Sequence, residues 1–300
     1  MRIVVWLDWP EACFRANELD IAYLKSLAGD TAHVEHVHGE EAFLAALAGA
    51  THAITWHFKE SWYALAPRLE LVATPAAGRE LVDAPPTGSK VKVHFGGFHG
   101  AIMAESVAAF IMAFSRGFFA KVPQSGMWPR EWLAPKCYLV SGTKAVIAGF
   151  GNVGRAIARK LESLGIICEG FTRANASRIK EAARDADWFV MALPGDTHTD
   201  DFLDASLIAA LPPRAVVVNV GRGNAIAEKA LEEALSSGRI AGAYLDVFKN
   251  EPTQLNTSTA KCDGLWNRDV PNLIAMPHSS AFAPQYLHMA FKELKNDGCI

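Results

Sequence analysis

An arginine, a glutamate and a histidine each follow a short apolar run in the second half of this 300-residue chain. Arg222 lies in Asn219-Val220-Gly221-Arg222-Gly223, Glu251 in Asp246-Val247-Phe248-Lys249-Asn250-Glu251-Pro252, and His278 in Met276-Pro277-His278-Ser279-Ser280. Such runs read as buried strands, and residues just past the carboxyl ends of parallel strands face the ligand crevice of an open α/β sheet. There a guanidinium can bind a carboxylate, a carboxylate can orient an imidazole, and the imidazole can transfer a proton. Taken singly, each residue has a plainer reading: an arginine in a surface ion pair, a Glu-Pro turn, a loop histidine.

A second constellation lies upstream. Gly149-Phe150-Gly151-Asn152-Val153-Gly154 is a G-x-G-x-x-G run, with an apolar strand expected over 145–148 and a helix over 155–164. Gly149 would permit the tight turn, Gly151 the approach of a pyrophosphate, and Gly154 close helix–strand packing. Free N–H groups at the helix start then hold the phosphates. A merely structural turn is the alternative, and the strand–glycine–helix context favours a dinucleotide. The residue that reads the adenosine ribose is expected at the end of the next strand, where Thr172 and Arg173 stand. Neither offers a carboxylate to a ribose 2′-hydroxyl, whereas Arg173 can pair with a 2′-phosphate. This favours NADP over NAD, with a solvated loop arginine as the alternative; Glu169 is the only acid nearby.

The elements that would position these groups alternate along the chain. Strands are expected over 3–7, 53–56, 69–73 and 91–95, with helices over 18–27 and Glu40–Leu47. From residue 145 a second series runs: strands over 145–148, 166–171, 188–193, 215–220, 242–247 and Leu273–Ala275, with helices over 155–164, 177–186 and 227–236. Such alternation implies parallel βαβ units. The fold expected is α/β: two Rossmann-like doubly wound domains, with a dinucleotide-binding domain (118–281) inserted into a flavodoxin-like substrate domain (1–117 plus 282–300). A helix over 104–116 joins them, and a helix-compatible tail over 281–295 returns to the first.

With 29 Lys+Arg against 32 Asp+Glu, the chain carries no basic footprint for nucleic acid or anionic lipid. A small molecule is the better partner. The start lacks the pattern of a signal peptide, and the longest apolar run, 107–114, is too short to span a bilayer. Five scattered cysteines without a CxxC pair argue against a disulfide framework or a zinc site, and fit a reducing cytoplasm.

These motifs together resemble the D-isomer-specific 2-hydroxyacid dehydrogenases, a family that includes glyoxylate/hydroxypyruvate reductases. The resemblance is strongest over 142–283. It rests on the glycine loop, Asn219 through Gly223, the run Ser237-Gly238-Arg239-Ile240-Ala241-Gly242-Ala243-Tyr244-Leu245-Asp246-Val247-Phe248 leading to Glu251-Pro252, and Pro277-His278. Weaker matches at Ala77-Gly78, Ala104-Glu105 and Trp128 extend it over nearly the whole chain. Three turn residues at family spacing outweigh the plainer reading of each.

The resemblance implies NAD(P)-dependent reduction of a small 2-oxo acid to a D-2-hydroxy acid. His278 would be the general acid/base, Glu251 its partner, and Arg222 the ligand of the substrate carboxylate and carbonyl. Asp246 would anchor the nicotinamide carboxamide. Gly149 through Gly154, Thr172, Arg173, Leu193, Pro194, Val220, Gly221, Arg222, His278 and Ser280 would line the cofactor, with no metal. Ala77 and Gly78 would form a second carboxylate cradle in the first domain. A homodimer through the cofactor domain is implied too, with 118–136 as its arm.

Departures from the family pattern bear on substrate. Arg79-Glu80 follows the cradle where an apolar residue and Asp or Asn are usual. Arg79 either reaches a distal anionic group of the substrate or is a solvated charge paired with Glu80. Trp56, His57, His94 and His99 fall near strand ends, as pocket walls or as packed polar groups; His57 is carried as a substrate-binding candidate. Gly221 and Ser279-Ser280 replace commoner residues beside the nicotinamide. Two other readings stand: a dinucleotide-sensing interaction protein without catalysis, and a formate- or phosphite-type oxidiser on the same scaffold.

Overall fold

Ile3, Val4 and Val5 are fully buried in the first strand of a parallel sheet, as a continuous β-branched run predicts. This computed structural model describes residues 1–121, 126, 128–252 and 262–300. The chain divides into two units, Met1–His99 with Phe282–Ile300, and Gly100–Ala281.

In the first unit β1 (Arg2–Trp6), α1 (Glu18–Ala28), β2 (His33–His36), α2 (Glu40–Leu47), β3 (His52–Thr55), β4 (Leu71–Thr74) and β5 (Lys92–Phe95) follow in order. The strands lie 2-1-3-4-5, all parallel, which is the flavodoxin-like order. Strand β2 escapes sequence inspection because it is an edge strand: in His-Val-Glu-His only Val34 is buried. One face of the sheet buries Val4, Trp6, Ala53 and Val72 against Phe43 and Leu47 of α2 and against Phe58 and Trp62.

The second unit opens with α3 (Gly100–Ser115) and short α4 (Arg130–Leu133). It continues through β6 (Lys144–Ala148), α5 (Asn152–Glu162), β7 (Ile167–Phe171), α6 (Ile179–Ala183), β8 (Trp188–Met191), α7 (Ala205–Ala210), β9 (Val216–Asn219), α8 (Glu228–Ser236), β10 (Gly242–Leu245) and β11 (Leu273–Ala275). Its six strands lie in the order β7-β6-β8-β9-β10-β11, all parallel. Pleat alternation sends Val146, Phe189 and Val217 to one face and Ala145, Ile147, Trp188, Val190 and Val218 to the other. Helices cover both faces, so every strand from β8 to β10 is buried end to end.

Helix α3 falls in the second unit, not in a first domain ending at 117. Its Ala104, Val107 and Ile111 share a core with Ile157, Ala158 and Leu161 of α5, and Gly100 packs against that helix with no room for a side chain, since a Cβ there would stand 2.8 Å from Ala156 Cβ. The closing helix α9 (Tyr286–Asn296) clusters with the first unit and buries Tyr286, Leu287, Ala290, Phe291 and Leu294. Among the described residues no helix is long and apolar enough to cross a membrane.

Candidate active site

The topology of the second unit decides where its loops meet. Strand β6 sits between β7 and β8, so successive connections leave it in opposite directions and open a crevice at its carboxyl end. The glycine loop leaves β6 at that point. Gly149 has φ +91°, and a Cβ there would stand 2.4 Å from Ala192 O. A Cβ on Gly154 would stand 2.2 Å from Gly149 O, so helix and loop pack with no room for a side chain. A Cβ on Gly151 would meet nothing within 4 Å. The two outer glycines are thus required by the fold, while the middle one is required only if something else approaches the backbone.

Helix α5 begins at Asn152, three residues earlier than its sequence pattern suggests, with Gly151 as N-cap and no acid in its first turn. Its first N–H groups therefore present a positive end to the loop. Phe150 lies against Gly170 of β7, and Arg155 folds back to donate to Phe150 O (3.1 Å) and Asn152 Oδ1 (2.9 Å). A dinucleotide pyrophosphate fits this cradle, because Gly151 leaves open the space that a Cβ would occupy.

At the end of β7, Thr172 N–H donates to Asn175 Oδ1 (2.7 Å), which fixes the turn. Arg173 is 78% exposed and its guanidinium lies 3.5 Å from Asp196, a partner on the loop after β8. Glu169 is turned elsewhere, toward Lys144 (3.4 Å) and Arg178 (3.9 Å). Leu193 and Pro194 leave β8, and a Cβ on Gly221 would stand 2.6 Å from Leu193 N. Any side chain at 221 would collide with that backbone.

Arg222, Glu251 and His278 follow β9, β10 and β11, which are neighbours in the sheet. Fully buried Asn219 holds the turn before Arg222 from both sides: its Oδ1 accepts Gly221 N–H (3.0 Å) and its Nδ2 donates to Arg222 O (3.1 Å). Gly223 then passes so close to Phe248 that a Cβ would stand 1.9 Å from its carbonyl carbon. Phe248 N–H donates to Glu251 Oε1 (2.8 Å), and Glu251 Oε2 lies 2.7 Å from His278 Nδ1. His278 itself has φ +52°, a left-handed backbone that a histidine adopts at a cost.

Asp246 accounts for that conformation. Its buried carboxylate accepts Ser279 N–H (2.8 Å) and Ser280 N–H (3.1 Å), while its carbonyl accepts His278 N–H (2.8 Å). Ser106 of α3 donates to Ser280 O (2.9 Å). Asp246 therefore holds the loop that presents His278, a positioning contact that the sequence did not signal. Asn219 was missed as well, although it carried a signal: an amide ending a run of valines is out of place unless its side chain caps a turn.

Partial desolvation works against a charged imidazole here, although the side chain is 51% exposed, but the hydrogen bond and charge of Glu251, helped by Asp246, outweigh it and hold the His278 pKa above its ordinary value. Burial likewise pushes the Glu251 carboxyl upward. The bond to His278 and its charge, the Phe248 N–H and Arg222 bring it instead below the usual range. The pairing therefore favours the protonated imidazole over the neutral one, backed by the Glu251 carboxylate through Nδ1.

In the first unit the expected substrate residues lie at strand ends as well. Gly96 N–H donates to Thr74 O (3.0 Å) and Ala76 O (2.9 Å), bracing the turn that leads to Ala77 and Gly78. Arg79 is exposed and stacks over Phe95, 5.1 Å from the ring centroid. His57 is half-buried, edge-on to Trp6 (4.8 Å); burial chiefly lowers its pKa. Three other candidates are used in packing: Trp56 donates to Phe14 O, His94 pairs with Asp297 (3.0 Å), and buried His99 bonds Tyr286 Oη (2.7 Å).

Comparison with known proteins matches this architecture. Residues 108–280 match the family model described as D-isomer specific 2-hydroxyacid dehydrogenase, NAD binding domain. A glyoxylate reductase of Pyrococcus furiosus is 29% identical over 208 residues, and the match spans 62% of this chain and 62% of that enzyme. The NAD-complexed D-isomer specific 2-hydroxyacid dehydrogenase of Lactobacillus delbrueckii ssp. bulgaricus superposes with a TM-score of 0.80 at 15% identity, covering 100% of this chain and 96% of that one. An NADPH-dependent glyoxylate/hydroxypyruvate reductase from Sinorhizobium meliloti gives 0.67 at 23% identity, covering 99% and 93%. At these identities the two structures speak for the fold alone. The family model spans more than half of the chain and contains the glycine loop, the Arg222 turn and His278, and the chain belongs to the D-isomer specific 2-hydroxyacid dehydrogenase family.

Proposed function

We propose that the protein is an NAD(P)-dependent reductase of small 2-oxo acids, yielding D-2-hydroxy acids. The observation that carries this reading is the 2.7 Å His278–Glu251 contact on the loop next to Arg222. Arg222 binds the substrate carboxylate and polarises the carbonyl with its fork of donors. His278 Nε2 delivers a proton to the carbonyl oxygen, and Glu251 keeps that proton available by stabilising the imidazolium. Gly151, the start of α5, and the turns at Leu193–Pro194 and Val220–Gly221 hold the dinucleotide, which supplies the hydride when bound. Asp246 stands in this proposal as the anchor of the nicotinamide carboxamide and Ser280 as a cofactor-lining residue, and the bonds of Asp246 to the Ser279 and Ser280 amides also fix the loop beside them.

NADP is the favoured cofactor in this proposal. Thr172 offers no carboxylate to a ribose 2′-hydroxyl, and the Arg173–Asp196 pair is exposed, so the guanidinium exchanges partners at little cost. Ala77 and Gly78 form the second carboxylate cradle in this reading, and His57 is a further substrate-binding residue. Arg79, exposed and stacked over Phe95, stands in this proposal either as the ligand of a distal anionic group of the substrate or as a solvated charge.

A homodimer through the second unit is part of the same proposal. Phe118, Trp128 and Leu139 are 78%, 86% and 77% exposed, an apolar surface that a second copy would cover. Of the arm expected over 118–136, residues 122–125 and 127 lie outside the described residues.

The test is a substrate panel. Purified protein with NADPH or NADH is given glyoxylate, hydroxypyruvate, pyruvate or phenylpyruvate, and the reverse reaction is run with D-2-hydroxy acids, formate and phosphite. The expected result is NAD(P)H oxidation with at least one 2-oxo acid and a D-configured product. Dinucleotide binding without turnover of any 2-oxo acid overturns the reading.

A further inference from the structure

Glu228 reaches neither substrate nor cofactor in this scheme, yet its carboxylate is tied to the segment that carries Glu251. It opens α8, and its two oxygens accept backbone N–H groups from positions far apart in the chain: Oε1 from Lys249 (3.2 Å) and Oε2 from Leu265 (3.3 Å). Gly264 passes so near that a Cβ would stand 2.5 Å from Oε2. Lys249 precedes Glu251 by two residues, and its Nζ is itself paired with Asp201 (2.5 Å). The approach to Glu251 is thus gripped at Phe248, whose ring lies edge-on to Trp266 (5.3 Å), and at Lys249 by both main chain and side chain.

We infer that Glu228 is a positioning residue: by holding the Lys249 amide it fixes the backbone that leads into Glu251, and by holding the Leu265 amide it ties that backbone to the segment at 265, so that Glu251 Oε2 stays in contact with His278 Nδ1. The inference rests on the proposed reading of His278 as proton donor. Hydrogen bonds to an ionised acceptor are roughly twice as strong as neutral ones, which suits a carboxylate to the task of tying two strands of loop to a helix. A displacement of about 1 Å in a supporting loop is enough to weaken a catalytic contact severely.

Glu228 also has an ordinary use, since an acid in the first turn stabilises its helix. The two roles separate in the titration of His278, which a helix-stabilising glutamate leaves alone. The charged groups around His278 are Glu251, Asp246 and Arg222. Those near Glu228 line a cavity of about 540 Å³ with Asp201, Lys229, Glu232, Glu233, Lys249 and Arg268. Loss of the Glu228 charge therefore acts weakly and through solvent, whereas loss of its reach moves the Glu251 loop directly.

The experiment is an NMR titration of ligand-free protein carrying isotope-labelled histidine, with His278 assigned through His278→Gln. It compares wild type, Glu228→Ala, Glu228→Asp and Glu251→Gln. Glu251→Gln is expected to lower the His278 midpoint most. Glu228→Ala and Glu228→Asp are expected to lower it in the same direction by about half a unit or more, because aspartate keeps the charge but cannot span both amides. Should Glu228→Ala fail to fold, Glu228→Asp carries the test, with thermal unfolding measured alongside. A midpoint in Glu228→Asp that matches wild type overturns the positioning role and leaves only a through-space charge. If Glu251→Gln leaves the midpoint in place, it is the proposed pairing that fails, and this inference falls with it.

Discussion

Glu251 and His278, 27 residues apart in sequence, meet at 2.7 Å because β10 and β11 are adjacent parallel strands and each residue lies on the loop past its strand. The contact engages only half of each group. Glu251 gives its other oxygen to the Phe248 amide, and among the described residues His278 is held through Nδ1 and not through Nε2. An acid/base pair with one fixed end and one working end is what proton transfer to a carbonyl requires.

That relationship predicts the pH dependence. The raised His278 pKa keeps the imidazole protonated to higher pH, so reduction falls on a basic limb above the ordinary histidine value of about 6.5 and oxidation falls on the acidic side of the same limb. Glu251→Gln moves both limbs to lower pH, and kcat/KM profiles for the two directions measure it. Stability follows by linkage. The His278 contribution is complete below its unfolded pKa and is lost as pH rises through the raised folded value. The Glu251 contribution is present above its unfolded pKa and is lost as pH falls through the lowered one. Removing the pair therefore costs most between the two unfolded values, roughly pH 4.5 to 6.5, which unfolding of wild type and Glu251→Gln in urea across that range would reveal.

His278→Ala is expected to lower kcat by about 10²–10⁴-fold, the usual range for loss of a general acid. Dinucleotide affinity should change little, since in the proposed reading the cradle at Gly151 and the start of α5 lies on another loop. Stopped-flow turnover and calorimetric titration of the cofactor separate the two quantities. Turnover at the wild-type rate would take His278 out of the scheme.

Arg173→Ala should weaken NADPH by much more than NADH. An exposed guanidinium released from Asp196 can form charge-assisted bonds with a 2′-phosphate that NADH lacks. The reciprocal substitution Asp196→Ala frees Arg173 and should strengthen NADPH binding. Dissociation constants for both cofactors with both variants decide it; equal changes for NADPH and NADH in Arg173→Ala would show that the side chain touches no 2′-phosphate.

Much of this was legible in the residues because the local signals were redundant. Apart from β7, the strands from β6 to β11 are short, mostly apolar runs, and Arg222, Glu251 and His278 each stand just past such a run. What escaped was held by tertiary contact. Strand β2 has one buried residue and pairs only at an edge. Short α7 is the exception, missed although its signal is local: Asp204 caps it, its side chain accepting Leu207 N–H at 2.7 Å. Helix α3 is apolar enough to serve either unit, and only its fit against α5 assigns it. The clamps at Asp246 and Glu228 join residues 33 and 37 positions apart, a pairing no periodicity can announce.

The glycine loop yields a final prediction, a pair of substitutions with opposite consequences. Gly154→Ala places a methyl group 2.2 Å from Gly149 O, a backbone atom that cannot move without disturbing the turn after β6. Overpacking of this kind costs about 1–3 kcal/mol, and thermal unfolding should register it whether or not cofactor is present. Gly151→Ala places its methyl group in open space, so the apo protein should lose only the modest cost of alanine at a helix N-cap, less than with Gly154→Ala. If a pyrophosphate passes over that backbone, the same methyl group occupies its path, and calorimetry should show both NADH and NADPH weakened by about tenfold or more, equivalent to some 1.4 kcal/mol. Wild-type affinity in Gly151→Ala would mean that the dinucleotide does not cross the loop at its middle glycine, and the cradle would have to lie elsewhere along the ends of the six strands.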